Sequence, residues 1–181
     1  MPRIDSITLG GGCFWCLEAV FEIVSGVSRV KSGYTGGSVP HPSYEQVCGG
    51  STGHAEVVQI DFDPNILVFE ELLEIFFVVH DPTTLNRQGN DIGTQYRSAV
   101  FYHTDGQRDL TLDFIKRFDI DGPWADPIVT EVAPLEIFYS AEAYHDRYFA
   151  RNDEQPYCRV VIAPKLAKFR ARFINRIVQP G

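Results

Sequence analysis

Apolar and polar positions along the chain follow two rhythms, and the switches between them mark out the elements. Val58, Ile60 and Phe62 alternate with Gln59 and Asp61, the period-two pattern of a half-buried strand over residues 56–62. Apolar runs bounded by turn residues predict further strands over residues 7–11, 27–34, 98–103 and 128–133. A helical period takes over between them. Phe14, Leu17, Phe21 and Val24 predict a helix over residues 13–24. Phe69, Leu72, Leu73, Phe76 and Phe77 predict a second over 69–80. Leu166, Phe169, Phe173 and Ile177 predict one over 164–177, and residues 105–118 also read as a helix. Helices interspersed with strands predict an α+β fold of two layers, a sheet covered by helices. Residues 35–54 and 81–97 are left irregular, and stretches of that length inside a compact domain usually carry function.

Composition narrows the picture. At 181 residues and 44% hydrophobic the chain can bury one full core, so a single domain over residues 1–181 is expected. A net charge of −8 argues against nucleic-acid and anionic-membrane partners. No run of 18 apolar residues is present, so no membrane span is expected. Met1-Pro2-Arg3-Ile4-Asp5 does not open an apolar leader, and cytoplasmic residence is the expectation. Four cysteines, Cys13, Cys16, Cys48 and Cys158, are too few for a secreted disulfide scaffold. In a reducing compartment they point to catalysis, redox chemistry or metal binding.

Gly10-Gly11-Gly12-Cys13-Phe14-Trp15-Cys16 places a thiol where a strand turns into a helix. Unpaired amides and the helix dipole favour negative charge there, so a lowered thiol pKa and a nucleophilic thiolate are expected at Cys13. The glycines allow close approach to the backbone, and Phe14 and Trp15 can wall a small apolar pocket. Cys16, three residues on, shares the helix face of Cys13. A zinc site would want four ligands in paired clusters, whereas Cys48 and Cys158 stand singly and no histidine pair has ligand spacing; no metal is expected. The two irregular stretches carry Tyr44, Asp91 and Tyr96, and Glu56 opens the strand that follows the first; these groups are able to surround a ligand oxygen with hydroxyl and carboxyl donors.

Four motifs, Gly12-Cys13-Phe14-Trp15-Cys16, Gly33-Tyr34-Thr35-Gly36-Gly37, Gly53-His54-Ala55-Glu56 and the segment from Gly89-Asn90-Asp91 to Gln95-Tyr96-Arg97-Ser98, occur in this order. With these motifs the chain resembles the A-type peptide methionine sulfoxide reductases over about residues 7–173. The resemblance implies a ferredoxin-like α+β sandwich and reduction of the S epimer of methionine sulfoxide, free or in oxidised proteins, with thioredoxin as the electron donor. It matches Cys13 to the nucleophile, Phe14 and Trp15 to the substrate pocket, Glu56 to the acid, and Tyr44 and Tyr96 to the holders of the sulfoxide oxygen. Asp91 matches a pocket carboxylate, and His145 and Tyr148 a supporting segment. No cofactor is implied, and a monomer is expected.

The residue types suit that chemistry. A thiolate can attack the electrophilic sulfur if the sulfoxide oxygen is protonated as charge collects on it, which asks for an acid, hydrogen-bond donors and an apolar slot for the methyl group. Methionine then leaves, and a cysteine sulfenic acid remains for a second thiol to condense with. A thioredoxin-like oxidoreductase would also use Cys13 and Cys16 but needs no acid on a second loop. The chain has no glycine-rich tail with late cysteines. Cys16 is therefore the expected resolving thiol, by C-x-x-C spacing, with Cys158 the alternative. Cys48 reads as a packed structural thiol. His54 and His80 read as bonded to backbone, and the basic face of Lys165, Lys168, Arg170, Arg172 and Arg176 as solvated.

Overall fold

The computed structural model describes residues 3–179. β1 (Asp5–Gly10) runs into the glycines and then into α1 (Phe14–Phe21). Gly12 makes the turn at φ +87°, and a Cβ there would lie 2.6 Å from the Gln88 side chain, so the position is reserved for glycine. β2 (Val27–Thr35) and β3 (Ala55–Phe62) pair antiparallel, with Tyr34 opposite Glu56. Between them lies the single turn α2 (Tyr44–Cys48). Next come α3 (Phe69–Val79), the short hairpin of β4 (Arg87–Gln88) and β5 (Asp91–Ile92), β6 (Ala99–Tyr102) and α4 (Asp105–Asp121). β7 (Glu131–Pro134), β8 (Tyr139–Ser140), α5 (Tyr148–Arg151) and α6 (Ala163–Arg172) complete the order.

The main sheet runs β7-β6-β1-β3-β2-β8, antiparallel throughout except for the parallel β6–β7 pair. Its middle four strands with α1 and α3 form the β-α-β-β-α-β unit, in which β3 inserts between the parallel β1 and β2. This is the expected ferredoxin-like α+β core with a mixed sheet. Val58, Ile60 and Phe62 face the main core, where they meet Leu17 and Phe21 of α1 and Phe76 and Phe77 of α3. On the other face Val57 and Phe101 are covered by Ala133, Leu135 and Phe138, so that face too is sheltered. Among the described residues no helix is long and apolar enough to cross a membrane.

Two helices are shorter than their periodicity predicts. α1 stops at Phe21 and α6 at Arg172, followed by a 3-10 turn over Ile174–Arg176. Val24 and Ile177, the last residue of each apolar stripe, instead form a β-bridge with each other. Ser25 N donates to Arg176 O at 2.7 Å and Val178 N to Ile23 O at 2.9 Å, so residues 176–178 are tied down beside the end of α1. α6 is preceded by a π-helical turn, Cys158–Ile162, a wider coil that recurs at functional sites.

Candidate active site

The fold brings both early thiols to the start of α1. Cys13 takes the N-cap position with extended backbone (φ −60°, ψ 127°) and is buried, as is Cys16. All four cysteines are free thiols. Burial pushes the Cys13 thiol well above its ordinary pKa, helped by its hydrogen bond with Cys16 and the neighbouring Glu56, against a lowering contact from the Trp15 amide. The same hydrogen bond brings Cys16 down to about 7, with Lys165 also lowering it. The helix start alone predicts the lowered pKa at Cys13; the structure puts it on Cys16, because desolvation at Cys13 outweighs the amide. The two groups titrate as a pair: the first proton leaves readily because an S–H···S⁻ bond holds the charge, and the second leaves with difficulty.

Glu56 on β3 reaches across to α1. Its Oε1 accepts from Phe14 N at 3.2 Å, while its buried Oε2 has no partner among the described residues. Burial is the main cause that pushes its carboxyl up to about 8, so it carries a proton at neutral pH. Tyr44 and Tyr96 stand around it, on α2 and on the 3-10 turn Thr94–Tyr96. Burial and the nearby Glu56 hold both hydroxyls far above their ordinary range, as donors. Tyr44 is fixed by a capping box: Ser43 Oγ accepts from Gln46 N at 3.2 Å and Gln46 Oε1 from Ser43 N at 2.9 Å. Glu142 adds to this, accepting from Tyr44 N at 3.1 Å and from the Tyr34 hydroxyl at 2.9 Å.

Aromatic rings wall the site. Tyr148 stacks on Trp15 at 3.7 Å and 6°. His145 packs against Phe14 and Tyr44, and its Nδ1 accepts from Trp15 Nε1 at 3.0 Å. That bond places the histidine's proton on Nε2, a buried atom without a partner among the described residues. Burial lowers the His145 pKa, keeping the ring neutral. Asp91 accepts from the Tyr157 hydroxyl at 2.8 Å, and the Tyr157 ring meets Trp15 edge-on at 6.0 Å.

Two members of the site are not evident from the sequence. Tyr157 lies next to Cys158, and an aromatic beside a candidate thiol was the available signal. Glu18 sits on the buried face of α1, where charge is not expected. It accepts from Arg147 N at 2.9 Å and from the Tyr148 amide. Those bonds hold Arg147 in a left-handed conformation (φ +52°) and seat Tyr148 on Trp15. Burial raises the Glu18 carboxyl to about 7.

The remaining candidates divide. Cys158 is fully buried in the π-turn, close enough to Cys16 that a charge there would raise its pKa further, though burial is the larger cause. Cys48, expected to be packed, is exposed beside Tyr44, because the single turn α2 buries only Val47. His54 is paired as expected: its Nδ1 accepts from Gly37 N at 3.0 Å and Nε2 lies 2.7 Å from Val39 O. His80 lies between Phe76 O and the Ser98 hydroxyl.

The arrangement is a buried dithiol with one neutral carboxylic acid beside it, two hydroxyl donors near that acid and aromatic rings packed around them. Residues 5–177 match the family model described as peptide methionine sulfoxide reductase. The chain is 54% identical over 177 residues to the peptide methionine sulfoxide reductase MsrA of Polynucleobacter asymbioticus, covering 98% of this chain and 93% of that one. The reduced form of Mxr1 from Saccharomyces cerevisiae superimposes with a TM-score of 0.78 at 36% identity, over 86% of this chain and 90% of that one. Mxr1 in complex with Trx2 matches with a TM-score of 0.55 at 25% identity, over 81% of this chain and 85% of that one.

Proposed function

The chain belongs to the peptide methionine sulfoxide reductase family, and from that premise we propose how its own residues carry out the reaction. It is a thiol-dependent oxidoreductase that converts methionine sulfoxide to methionine. In our reading the S epimer, free or in a peptide, seats its methyl group against Phe14 and Trp15 and its oxygen among Tyr44, Tyr96 and the protonated Glu56. Cys13 gives its proton to the Cys16 thiolate and attacks the sulfoxide sulfur, while Glu56 protonates the oxygen. An S–S bond forms as the S–O bond breaks and the protonated oxygen departs; that oxygen then attacks the Cys13 sulfur, the S–S bond breaks, methionine leaves with the electron pair, and Cys13 is left as a sulfenic acid. His145, Tyr148 and Asp91 hold the slot in shape. The observation that carries this reading is the Glu56 carboxyl: it is anchored through one oxygen to the amide beside Cys13, and its other oxygen is buried, protonated and free to donate.

Cys16 resolves the sulfenic acid by attacking the Cys13 sulfur, releasing water and forming a Cys13–Cys16 disulfide. The two cysteines lie three residues apart at the start of α1 and shift each other's pKa, so closing the bond asks for a distortion of the first helical turn only. Thioredoxin reduces that disulfide; the solved complex of the yeast relative with Trx2 supports this choice of donor. Mapping the disulfide formed after one turnover without reductant should return the peptide holding both Cys13 and Cys16. Cys16→Ser should release about one methionine per enzyme, stall with thioredoxin, and recover with dithiothreitol, which reduces the sulfenic acid directly. Undiminished thioredoxin-driven turnover in Cys16→Ser, with loss in Cys158→Ser, would make Cys158 the resolving thiol.

A further inference from the structure

Charge is unevenly spread along the chain. Six of the 16 Lys and Arg residues fall after Glu154 and none of the 24 Asp and Glu do, so the net −8 divides into +6 on the last 27 residues and −14 on the rest. Part of that basic stretch faces the thiols. A cavity of about 680 Å³ has Cys13 and Cys16 in its lining, with Lys165, Lys168 and Arg172 of α6 along one wall. None of these three cations makes a salt bridge among the described residues. Asp81 and Asp91 are the acidic groups in the lining, and both are already engaged, Asp81 by Thr83 and Asp91 by Tyr157. Val160, 74% exposed, adds an apolar edge. An outward-facing solvated helix would account for surface lysines; unpaired cations lining a cavity that contains two redox sulfurs favour an acidic visitor.

The sulfoxide-holding groups are elsewhere. Phe14, Trp15, Tyr44, Glu56 and Tyr96 do not line this cavity, and Tyr157, bonded to Asp91 and edge-on to Trp15, stands at the boundary. We infer that the cavity is the docking face for the protein reductant: it takes a dithiol protein whose reactive cysteine is bordered by acidic and apolar side chains, and it receives that protein on a different side of the Cys13–Cys16 pair from the sulfoxide. The inference rests on the reductase reading above. The reductant's thiolate bonds to one sulfur of the Cys13–Cys16 disulfide, the S–S bond breaks, and the other sulfur leaves as a thiolate. The reductant's second thiol then attacks the mixed disulfide. The reductant departs as a disulfide, having passed two electrons and two protons to the enzyme's thiols.

The test reverses the wall without touching the thiols. Lys168→Glu combined with Arg172→Glu is assayed with thioredoxin, kept reduced by its reductase and NADPH, and in parallel with uncharged dithiothreitol. The kcat/KM for thioredoxin should fall at least about tenfold and lose most of its salt dependence, while dithiothreitol-driven turnover stays within about twofold. The milder pair Lys168→Gln and Arg172→Gln should lose about threefold, guarding against a folding defect in the reversal. An unchanged kcat/KM for thioredoxin overturns the inference, as does an equal loss with both reductants. It is also overturned if the loss appears only in KM for methionine sulfoxide peptides flanked by aspartate, which would make the cavity a substrate site. Failure of the unaltered chain to reduce methionine sulfoxide with dithiothreitol would instead sink the reductase reading.

Discussion

Replacing Cys13 by serine is expected to abolish sulfoxide reduction, by at least about 10⁴-fold with thioredoxin or dithiothreitol alike, while leaving the fold intact. A hydroxyl at this position stays protonated near neutral pH and cannot carry the oxygen away as a sulfenic acid. The fold should tolerate the change because Cys13 occupies the N-cap of α1 without a side-chain cap, a position where serine is favoured. Methionine release in a single turnover and the thermal unfolding midpoint together test both halves. The rival nucleophile is Cys16, whose pKa is brought down to about 7 by its bond with Cys13. Geometry favours Cys13, which adjoins the Phe14 amide that anchors Glu56. A single-turnover burst persisting in Cys13→Ser and vanishing in Cys16→Ser would reverse the assignment.

Glu56→Gln should slow the first turnover by about 10²-fold or more while altering substrate affinity much less. The amide keeps the shape of the side chain and can still accept from Phe14 N, but it has no acidic proton to deliver. The pH profile supplies a second readout. With the Glu56 carboxyl pushed up to about 8, the rate in the unaltered chain should fall as pH rises through that value, and this limb should be missing from the variant. A variant with an unchanged single-turnover rate would move the proton donor to Asp91 or to one of the tyrosines.

The strands and main helices were legible because each buries one face, and a buried face imposes its period on the sequence. The same rule misleads at Val24 and Ile177. Both continue a helical stripe, but burial there is achieved by a β-bridge, and spacing alone cannot separate the two. α2 was hidden by its length, although the Ser43–Gln46 capping box was readable in principle. Cys13, Glu56 and the two tyrosines were named by motif, and the fold brings them close to one another. The distribution of protons between Cys13 and Cys16 could not be read, since desolvation depends on residues distant in sequence. Glu18 escaped for the opposite reason: a carboxyl on an apolar face looks like noise until the amides of Arg147 and Tyr148 are seen pointing at it.

The buried carboxyls also make folding itself a proton-consuming reaction. Glu18 and Glu56 have pKa values raised to about 7 and about 8 from an ordinary 4.5, so at pH 6 the folded chain holds about two protons that the unfolded chain gives to the buffer. Both groups favour the folded state fully below about pH 4.5, and that support is lost as pH rises through 7 to 8. The acid that arms the site against sulfoxide therefore draws the stability optimum of the whole molecule toward lower pH. Alkaline conditions that deprotonate Glu56 loosen the fold and silence the chemistry together.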